Sequence, residues 1–290
     1  MPSTTETISI RSAVAEVTDR LAASSDSARL DAEILVARSI DMPRSYLFAH
    51  PEDELDELAV ARLYETVASR LAGMPMAYIT GTKEFWSLEL QVSPATLVPR
   101  PETELLVDHA LREIPRKVDW KVLDLGTGSG AIAIAIAKER PGCVVTAVDA
   151  SAEALAVAQA NVRALNLPNV SCVEGDWTAP VADQRFRIIV SNPPYVAEGD
   201  DALDALAAEP DLALTSGEDG LDAIRRLAGD CRDIIDDNGL LLLEHGNDQQ
   251  AAVARILSEN GWHDIVCVND YAGHPRLTTA RPKARNNDHN

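Results

Sequence analysis

Residues 122–130 read Val-Leu-Asp-Leu-Gly-Thr-Gly-Ser-Gly, and a segment rich in alanine and isoleucine, 131–140, follows them. An apolar run that leads through a glycine-rich turn into a helical pattern is typical of a buried strand, a tight loop and a helix. Glycines let such a loop turn sharply and approach a ligand closely, because a Cβ there would clash. By itself the turn fits a dinucleotide site, a nucleoside site or a plain strand-to-helix connection.

Beyond this loop, strand-like and helix-like segments alternate along the chain. Predicted strands cover 118–125, 144–148, 170–173, 186–190, 240–244, 265–268 and 277–280, and predicted helices cover 131–140, 152–165, 221–235 and 249–260. Alternation of this kind indicates a mostly parallel sheet with helices on both faces. We therefore expect an α/β fold with a Rossmann-like core.

The first 75 residues have a different pattern, in which apolar residues recur at helical spacing. Helices are predicted over 27–40 and over 53–71, where an apolar residue returns every four positions. After them, apolar and polar residues alternate in the manner of a β-hairpin or an extended linker. The expected organisation is a small helical domain over 1–75, a hairpin or linker over 76–100 and an α/β domain over 101–290.

The composition is that of a globular protein with an excess of acidic residues. The chain has 46 Asp and Glu against 26 Lys and Arg, so its formal net charge is −20. Nucleic-acid-binding proteins usually carry a cationic footprint, so we expect no nucleic-acid partner. The apolar runs are far shorter than the roughly 20 residues that span a bilayer, and residues 1–10 show no secretory signal. The four cysteines form no CxxC pair, which favours a reducing cytoplasm. The histidines lack metal-ligand spacing, so we expect no metal site. We also expect a monomer without a membrane partner.

The glycine spacing and the acidic residues around the loop favour one kind of ligand. The pattern is GxGxG rather than the dinucleotide GxGxxG, and Asp124 before it favours a cationic ligand group over a pyrophosphate. Asp149 ends the next strand, where it can accept both ribose hydroxyls, and Asp176 and Trp177 offer a carboxylate and an indole face to an adenine. The structural alternatives are a helix N-cap at Asp149 and a core position at Trp177. We predict that S-adenosylmethionine binds to Gly126, Thr127, Gly128, Ser129, Gly130, Asp149, Asp176, Trp177 and Asn192.

The tetrapeptide Asn192-Pro193-Pro194-Tyr195 follows the fourth predicted strand. Two prolines fix φ at about −65° and have no N–H group, so the turn presents acceptors. The Asn192 side-chain oxygen and the Pro193 carbonyl can then accept both hydrogens of one planar NH₂ group, on which Tyr195 can stack. Such a nitrogen is a poor nucleophile, and two acceptors both activate it and aim it at a sulfonium methyl. We predict that Asn192, Pro193 and Tyr195 are catalytic and that, with Pro194, they bind the substrate.

Several further short stretches accompany these two motifs. They lie at 73–75, 78–81, 84–87, 92–99, 100–104, 209–210, 243–246 and 270–271. Together with the motifs they resemble the bacterial protein-(glutamine-N5) methyltransferases of peptide chain release factors, from which this chain departs at Ala208, where that family usually has an aromatic residue. The resemblance implies an S-adenosylmethionine-dependent enzyme that methylates the glutamine of the Gly-Gly-Gln motif in class 1 release factors and so modulates translation termination. It also implies that the N-terminal helical domain recognises the protein substrate.

Other functions fit parts of the same pattern. An N6-adenine nucleic-acid methyltransferase would hold an exocyclic amine in the same turn, but the net charge of −20 and the lack of a basic recognition domain disfavour it. A NAD-dependent oxidoreductase is disfavoured by the GxGxG spacing. A non-catalytic scaffold that binds S-adenosylmethionine would not depend on Asn192. Arg100 has two interpretations, orientation of a carboxylate near the site or an ordinary surface ion pair.

Overall fold

The computed structural model describes residues 8–283 of the chain. The chain forms two units that divide between Gly81 and Thr82. Residues 1–7 and 284–290 lie outside the described residues, and with them most of the segment on which the signal-peptide expectation rests. Within 8–283, none of the helices combines the length and the apolar content that crossing a bilayer requires.

Between residues 8 and 81, the first unit consists of helices and one short antiparallel ladder. Its helices are α1 (Ile10–Leu21), α2 (Ala28–Ser39), α3 (Arg44–Ala49), α4 (Glu57–Leu71) and α5 (Met76–Thr80), and its strands are β1 (Ile8–Ser9) and β2 (Glu54–Leu55). Helix α4 begins four residues later than the predicted 53, because β2 pairs with β1 and the Asp56 side chain caps the helix by accepting from the Ala59 N–H at 2.7 Å.

The core of the first unit forms where the apolar faces of α1, α2 and α4 meet. Leu21, Leu35 and Leu63, one from each helix, are all fully or almost fully buried. Residues 78–79, predicted to be extended, belong to α5 instead, because Ile79 packs against this core. The core therefore decides the conformation of a segment whose local pattern indicates a strand.

The second unit contains the alternating strands and helices. Its strands are β3 (Thr82–Phe85), β4 (Leu88–Gln91), β5 (Lys121–Leu125), β6 (Val144–Asp149), β7 (Val170–Glu174), β8 (Phe186–Ser191), β9 (Ile235–Glu244), β10 (Trp262–Asn269) and β11 (Pro275–Pro282), and its helices are α6 (Glu104–Glu113), α7 (Ala131–Glu139), α8 (Ala152–Ala164), α9 (Ala202–Ala205), α10 (Asp222–Ile234) and α11 (Gln250–Glu259). Strands β3 and β4 form a hairpin whose two-residue turn, Trp86-Ser87, has positive φ angles at both positions, as such turns require.

Seven strands form the central sheet in the order β10-β11-β9-β8-β5-β6-β7. Strands β9, β8, β5, β6 and β7 run parallel, and β11 runs antiparallel to both of its neighbours. This arrangement confirms the predicted α/β class with a Rossmann-like core. Helix α6 is not among the predicted helices; it lies between the predicted hairpin or linker over 76–100 and the first predicted strand of the α/β domain.

Both faces of the sheet are covered, as the strand sequences require. Along β9, Leu240 and Leu242 pack against α6 and α7 on one face, whereas Leu241 and Leu243 pack against α10 and α11 on the other. A strand buried on both faces reads as a continuous apolar run, which is why the leucines of β9 do not alternate with polar residues.

The strand order brings the two predicted motifs together. Strands β6 and β7 are added to one side of β5, and strands β8 and β9 are added to the other side. The order of strand addition therefore changes direction between β5 and β8. Ligands of open parallel sheets bind at the carboxyl ends of the strands at such a switch point. The glycine loop follows β5, and the Asn-Pro-Pro-Tyr turn follows β8.

Candidate functional site

The glycine loop adopts a conformation that side chains would strain. Gly126, Gly128 and Gly130 all have positive φ angles, of 72°, 55° and 85°. A Cβ on Gly130 would also lie 3.0 Å from Ile134 Cδ1 and 3.3 Å from Ala158 Cβ, so the third glycine permits the close approach of α7 and α8. The loop therefore needs glycine for its backbone angles, and at Gly130 also for space.

Asp124 holds the loop from beneath. Its Oδ2 accepts hydrogen bonds from the Thr127 hydroxyl at 2.6 Å and from the Ala133 N–H at 3.1 Å, while Oδ1 has no partner among residues 8–283. Burial raises the pKa of this carboxyl to about 7. Asp124 is fully buried and is absent from the cavity wall, so it does not contact a ligand group directly as its position in the sequence suggests. It shapes the loop instead.

A cavity of about 600 Å³ opens at the carboxyl ends of β5, β6, β7 and β8. Nine predicted site residues line this cavity: Gly126, Thr127, Gly128, Ser129, Asp149, Asp176, Trp177, Asn192 and Pro194. Gly130, Pro193 and Tyr195 are not part of its wall. Gly130 begins α7, and Pro193 is buried in the turn. The site predictions thus converge on one place, and their roles stay predictions.

Asp149 bridges the glycine loop and the start of α8. Its Oδ2 accepts from the Gly128 N–H at 2.8 Å and its Oδ1 from the Ser151 N–H at 2.9 Å. The N-cap of α8 is Ser151, which accepts from the Ala154 N–H at 3.1 Å, and not Asp149. A carboxylate oxygen has more than one lone pair, so these bonds leave Asp149 able to accept ribose hydroxyls.

Asp176 and Trp177 form the far wall of the cavity. Both carboxylate oxygens of Asp176 pair with Arg226 of α10, at 2.9 and 2.6 Å, and Arg226 itself lines the cavity. The Trp177 backbone has a positive φ of 52°, and its ring lies beside Gly126, 3.5 Å from where a Cβ would stand. No local sequence pattern indicates Arg226, because its partner is 50 residues away in the chain.

The amide of Asn192 is held in one orientation. Its Nδ2 donates to the Thr103 hydroxyl at 3.2 Å, so Oδ1 is the atom that can accept from a substrate. The preceding residue, Ser191, donates its hydroxyl to the Leu125 carbonyl at 2.7 Å and ties the end of β8 to the end of β5. Thr103 was noted only as part of a family-like stretch, with no role predicted for it.

Tyr195 is not part of the cavity wall, and its phenol lies close to the Glu244 carboxyl. Burial beside the Glu244 carboxyl raises the pKa of its phenol to about 12, and its carbonyl accepts from Gln249 Nε2 at 2.9 Å. The structure does not place Tyr195 where it would stack on a ligand in the cavity, so its stacking role remains a prediction.

A half-buried ion pair lies at the side of the cavity that Arg100 and Pro210 line. Arg100 pairs with Glu209, whose carboxyl is almost fully buried and also accepts from the Val98 N–H at 3.0 Å. Of the two interpretations of Arg100, the structure supports the one in which it binds a carboxylate near the site. The signal in the sequence was the resemblance at 209–210, which carried no information about the partner.

The residues of the cavity fit S-adenosylmethionine. Its volume lies within the range of small-molecule sites, about 300–1,000 Å³. Acidic groups at Asp149 and Asp176 face a ligand with hydroxyls and an amino group. Ser129 is almost fully buried on the cavity wall, and its hydroxyl has no hydrogen-bond partner among the described residues. A buried hydroxyl without a partner is costly, so Ser129 is suited to a polar ligand group.

Family models match both parts of the chain. Residues 12–81 match the model described as "PrmC N-terminal domain", and residues 101–217 match "Methyltransferase small domain". The chain is 44% identical over 280 residues to the release factor glutamine methyltransferase of Vibrio cholerae. The aligned region covers 95% of this chain and 98% of that protein. It is 40% identical over 274 residues to the enzyme of the same name from Coxiella burnetii, with 94% and 99% covered.

The fold is also found in solved structures. A methyltransferase from Pyrococcus furiosus superposes with a TM-score of 0.53 over 75% of this chain and 98% of its own, at 20% identity. At that identity the likeness establishes the fold alone.

Proposed function

The chain belongs to the release factor glutamine methyltransferase family, and we propose that it methylates the glutamine of the Gly-Gly-Gln motif in class 1 peptide chain release factors. The enzyme is an S-adenosylmethionine-dependent methyltransferase. The acceptor in this proposal is the N5 nitrogen of the glutamine side chain, and the product modulates translation termination.

The cofactor supplies an electrophilic methyl group on a sulfonium. In the proposal, Asp149 accepts the ribose hydroxyls, Trp177 covers the adenine, and Ser129 with the loop residues Gly126, Thr127 and Gly128 surrounds the remainder. Gly130 contributes by ending the loop at the start of α7. Asp176 reaches the adenine amino group with Arg226 bound behind it.

The observation that carries the proposal is the orientation of Asn192. Asn192 lines the cofactor cavity, and because its Nδ2 is bound to Thr103, its Oδ1 is the atom left to accept from a substrate. An amide NH₂ that donates to this oxygen and to the Pro193 carbonyl gains electron density on nitrogen, and both bonds fix the direction of attack. No strong base is needed before attack, since the proton leaves after the nitrogen becomes cationic. Pro194 and Tyr195 complete the proposed substrate-binding turn.

The residues do not favour the nucleic-acid alternative. An N6-adenine methyltransferase would need cationic side chains to hold a phosphate backbone, and this chain carries a net charge of −20. We accordingly propose a protein substrate and no nucleic-acid or membrane partner. A monomer acting in the cytoplasm and a substrate-recognition role for residues 1–75 are further parts of the proposal.

The direct test is to incubate the enzyme with labelled S-adenosylmethionine and a purified class 1 release factor, and to locate the methyl group by mass spectrometry. We expect one methyl group on the glutamine of Gly-Gly-Gln. A methyl group on another residue, or label in nucleic acid only, would reject the proposal.

Asn192→Ala tests the role of the turn. We expect the single-turnover rate to fall about 100-fold or more, since one acceptor for the reacting amide is lost, while the Kd for S-adenosylmethionine changes little. The matched control is Asn238→Ala, which removes an exposed amide on β9. Turnover by Asn192→Ala at the rate of the control would show that Asn192 does not activate the acceptor amide.

A further inference from the structure

The register of the sheet places a buried carboxyl beside the Asn-Pro-Pro-Tyr turn. Strands β8 and β9 are parallel neighbours, and Ser191 pairs with Leu243. The next residues, Asn192 and Glu244, therefore leave the two strand ends side by side. Glu244 is 2% exposed, and it is not among the residues that line the cofactor cavity.

Thr103 connects the two residues. Its hydroxyl accepts from Asn192 Nδ2 at 3.2 Å, and it also stabilises the ionised Glu244 carboxyl by hydrogen bonding. A hydroxyl has only one hydrogen to donate. When that hydrogen points to the carboxylate, the lone pairs of the hydroxyl face the Asn192 NH₂ group. The direction of this single O–H bond thus depends on whether the Glu244 carboxyl is ionised or protonated.

Charged and polar groups surround the Glu244 carboxyl on several sides. Burial raises its pKa to about 7, Thr103, Arg276 of β11 and the Tyr195 hydroxyl oppose the rise, and Glu102 adds to it. Oε2 of Glu244 has no hydrogen-bond partner among residues 8–283. The next residue, His245, binds the Thr278 hydroxyl and the Gly246 carbonyl, and burial lowers the pKa of its imidazole.

We propose that ionised Glu244 is a positioning residue, which acts through the Thr103 hydroxyl to keep the Asn192 side-chain oxygen turned toward the substrate amide. The inference rests on the proposed function, since it concerns how the amide of the substrate is held. Glu244 does not touch the reacting atoms. It selects which end of the Asn192 amide faces them.

Protonation of Glu244 removes this selection. The neutral carboxyl donates a hydrogen bond to Thr103, and the threonine hydroxyl then donates its own hydrogen bond to the Asn192 oxygen. Asn192 would turn its NH₂ group to the cavity and face the NH₂ group of the substrate with a donor instead of an acceptor. The rate of transfer should therefore fall as the pH drops through the range in which Glu244 takes up its proton.

The first experiment uses Thr103→Val, which has the same shape and lacks the hydroxyl. With a release factor as substrate, we expect kcat to fall about 10- to 100-fold, because the orienting bond is lost, with the Kd for S-adenosylmethionine unchanged. Thr103→Ser should restore most of the rate. Thr146→Val, a buried threonine of β6 outside the cavity wall, is the matched control.

The second experiment compares the pH dependence of single turnovers in the wild type and Glu244→Gln. The glutamine can still accept from Thr103 but cannot be protonated near neutral pH, so we expect the fall in rate below about pH 7 to be reduced in this variant. This comparison decides the matter if Thr103→Val does not fold. The same acid limb in both proteins, or wild-type turnover by Thr103→Val, would overturn the inference.

The two proposals fail in different ways. If the wild type methylates the release factor while Thr103→Val and Glu244→Gln behave as the wild type, only the positioning role is rejected. If the wild type transfers no methyl group to the release factor, the proposed function falls, and the positioning role falls with it. A loss of cofactor affinity in Thr103→Val equal to its loss of rate would assign Thr103 to the cofactor site and reject the inference.

Discussion

At the residue scale, the shape of the glycine loop depends on a carboxyl that a ligand cannot reach. Asp124 Oδ2 joins the Thr127 hydroxyl to the first turn of α7, and Oδ1 has no partner within 8–283. An ionised carboxylate in this place would be poorly solvated, which is why the pKa rises to about 7. The loop is thus supported by a group that is neutral over much of the acid range.

The pH dependence of unfolding should report this group. The folded pKa of Asp124 lies above its ordinary value of 3.8, so the stability it contributes is present below about pH 4 and is lost as the pH rises through 7. Asp124→Asn cannot ionise. We expect the free energy of unfolding of the variant, relative to the wild type, to increase by about 1–3 kcal/mol between pH 5 and pH 8 in urea titrations.

Asp119→Asn, which changes an exposed carboxyl before β5, is the control and should show no such trend. If the difference between Asp124→Asn and the wild type were the same at pH 5 and pH 8, the carboxyl would not change its protonation state in this range.

At the scale of elements, the segment between β8 and α10 is attached to the rest of the second unit through Glu209. Its carboxyl binds Arg100 and the Val98 N–H, both from the segment before α6. Pro210 and Leu212 follow directly and line the cavity. The buried Glu209 carboxyl and its two donors therefore hold this part of the cavity wall in place.

Substitutions at Glu209 should act on ligand binding through this attachment. Glu209→Leu leaves both donors without an acceptor, and we expect the Kd for S-adenosylmethionine, measured by calorimetry, to rise about tenfold or more. Glu209→Gln keeps one acceptor and should have an intermediate effect. Glu218→Gln, at an exposed position, is the control, and unchanged binding by Glu209→Leu would mean that the wall does not need this ion pair.

Local sequence patterns predict some parts of the site and do not predict others. Strand β5, helix α7 and the loop between them were predicted because their apolar periods and glycines are local signals. The Arg100–Glu209 and Asn192–Thr103 contacts join residues 109 and 89 positions apart, and no local pattern encodes such pairs. Ile79 was assigned wrongly for a related reason, since packing in the first unit overrides its extended pattern.

At the scale of the whole molecule, every residue that lines the cofactor cavity lies between 95 and 226, within the second unit. The first unit has its own core, and Asp31 and Arg70 join α2 to α4 inside it at 2.9 Å. Cofactor binding and recognition of a protein substrate can therefore reside in different units.

A chain that starts at Thr82 should separate these two properties. We expect it to bind S-adenosylmethionine with the affinity of the full chain, and to lose about 100-fold or more in kcat/KM for a release factor, if residues 1–75 recognise that protein. Calorimetry and methyl transfer measure the two quantities. Circular dichroism and a short Gly-Gly-Gln peptide, whose methylation should be affected much less, are the controls. Full activity of the shortened chain on the release factor would place recognition in the second unit.

The position of β11 has a consequence for how the molecule is made. Strand β11 is translated after the other described strands of the sheet, yet it is an interior strand, which inserts between β9 and β10. A nascent chain that ends before Pro275 has every residue of the cavity wall but lacks that strand, and with it Arg276, the cation beside Glu244. The sheet can thus close only after β10 has been translated, and the electrostatic surroundings of the Asn-Pro-Pro-Tyr turn are completed by a segment that is translated after the whole cavity wall.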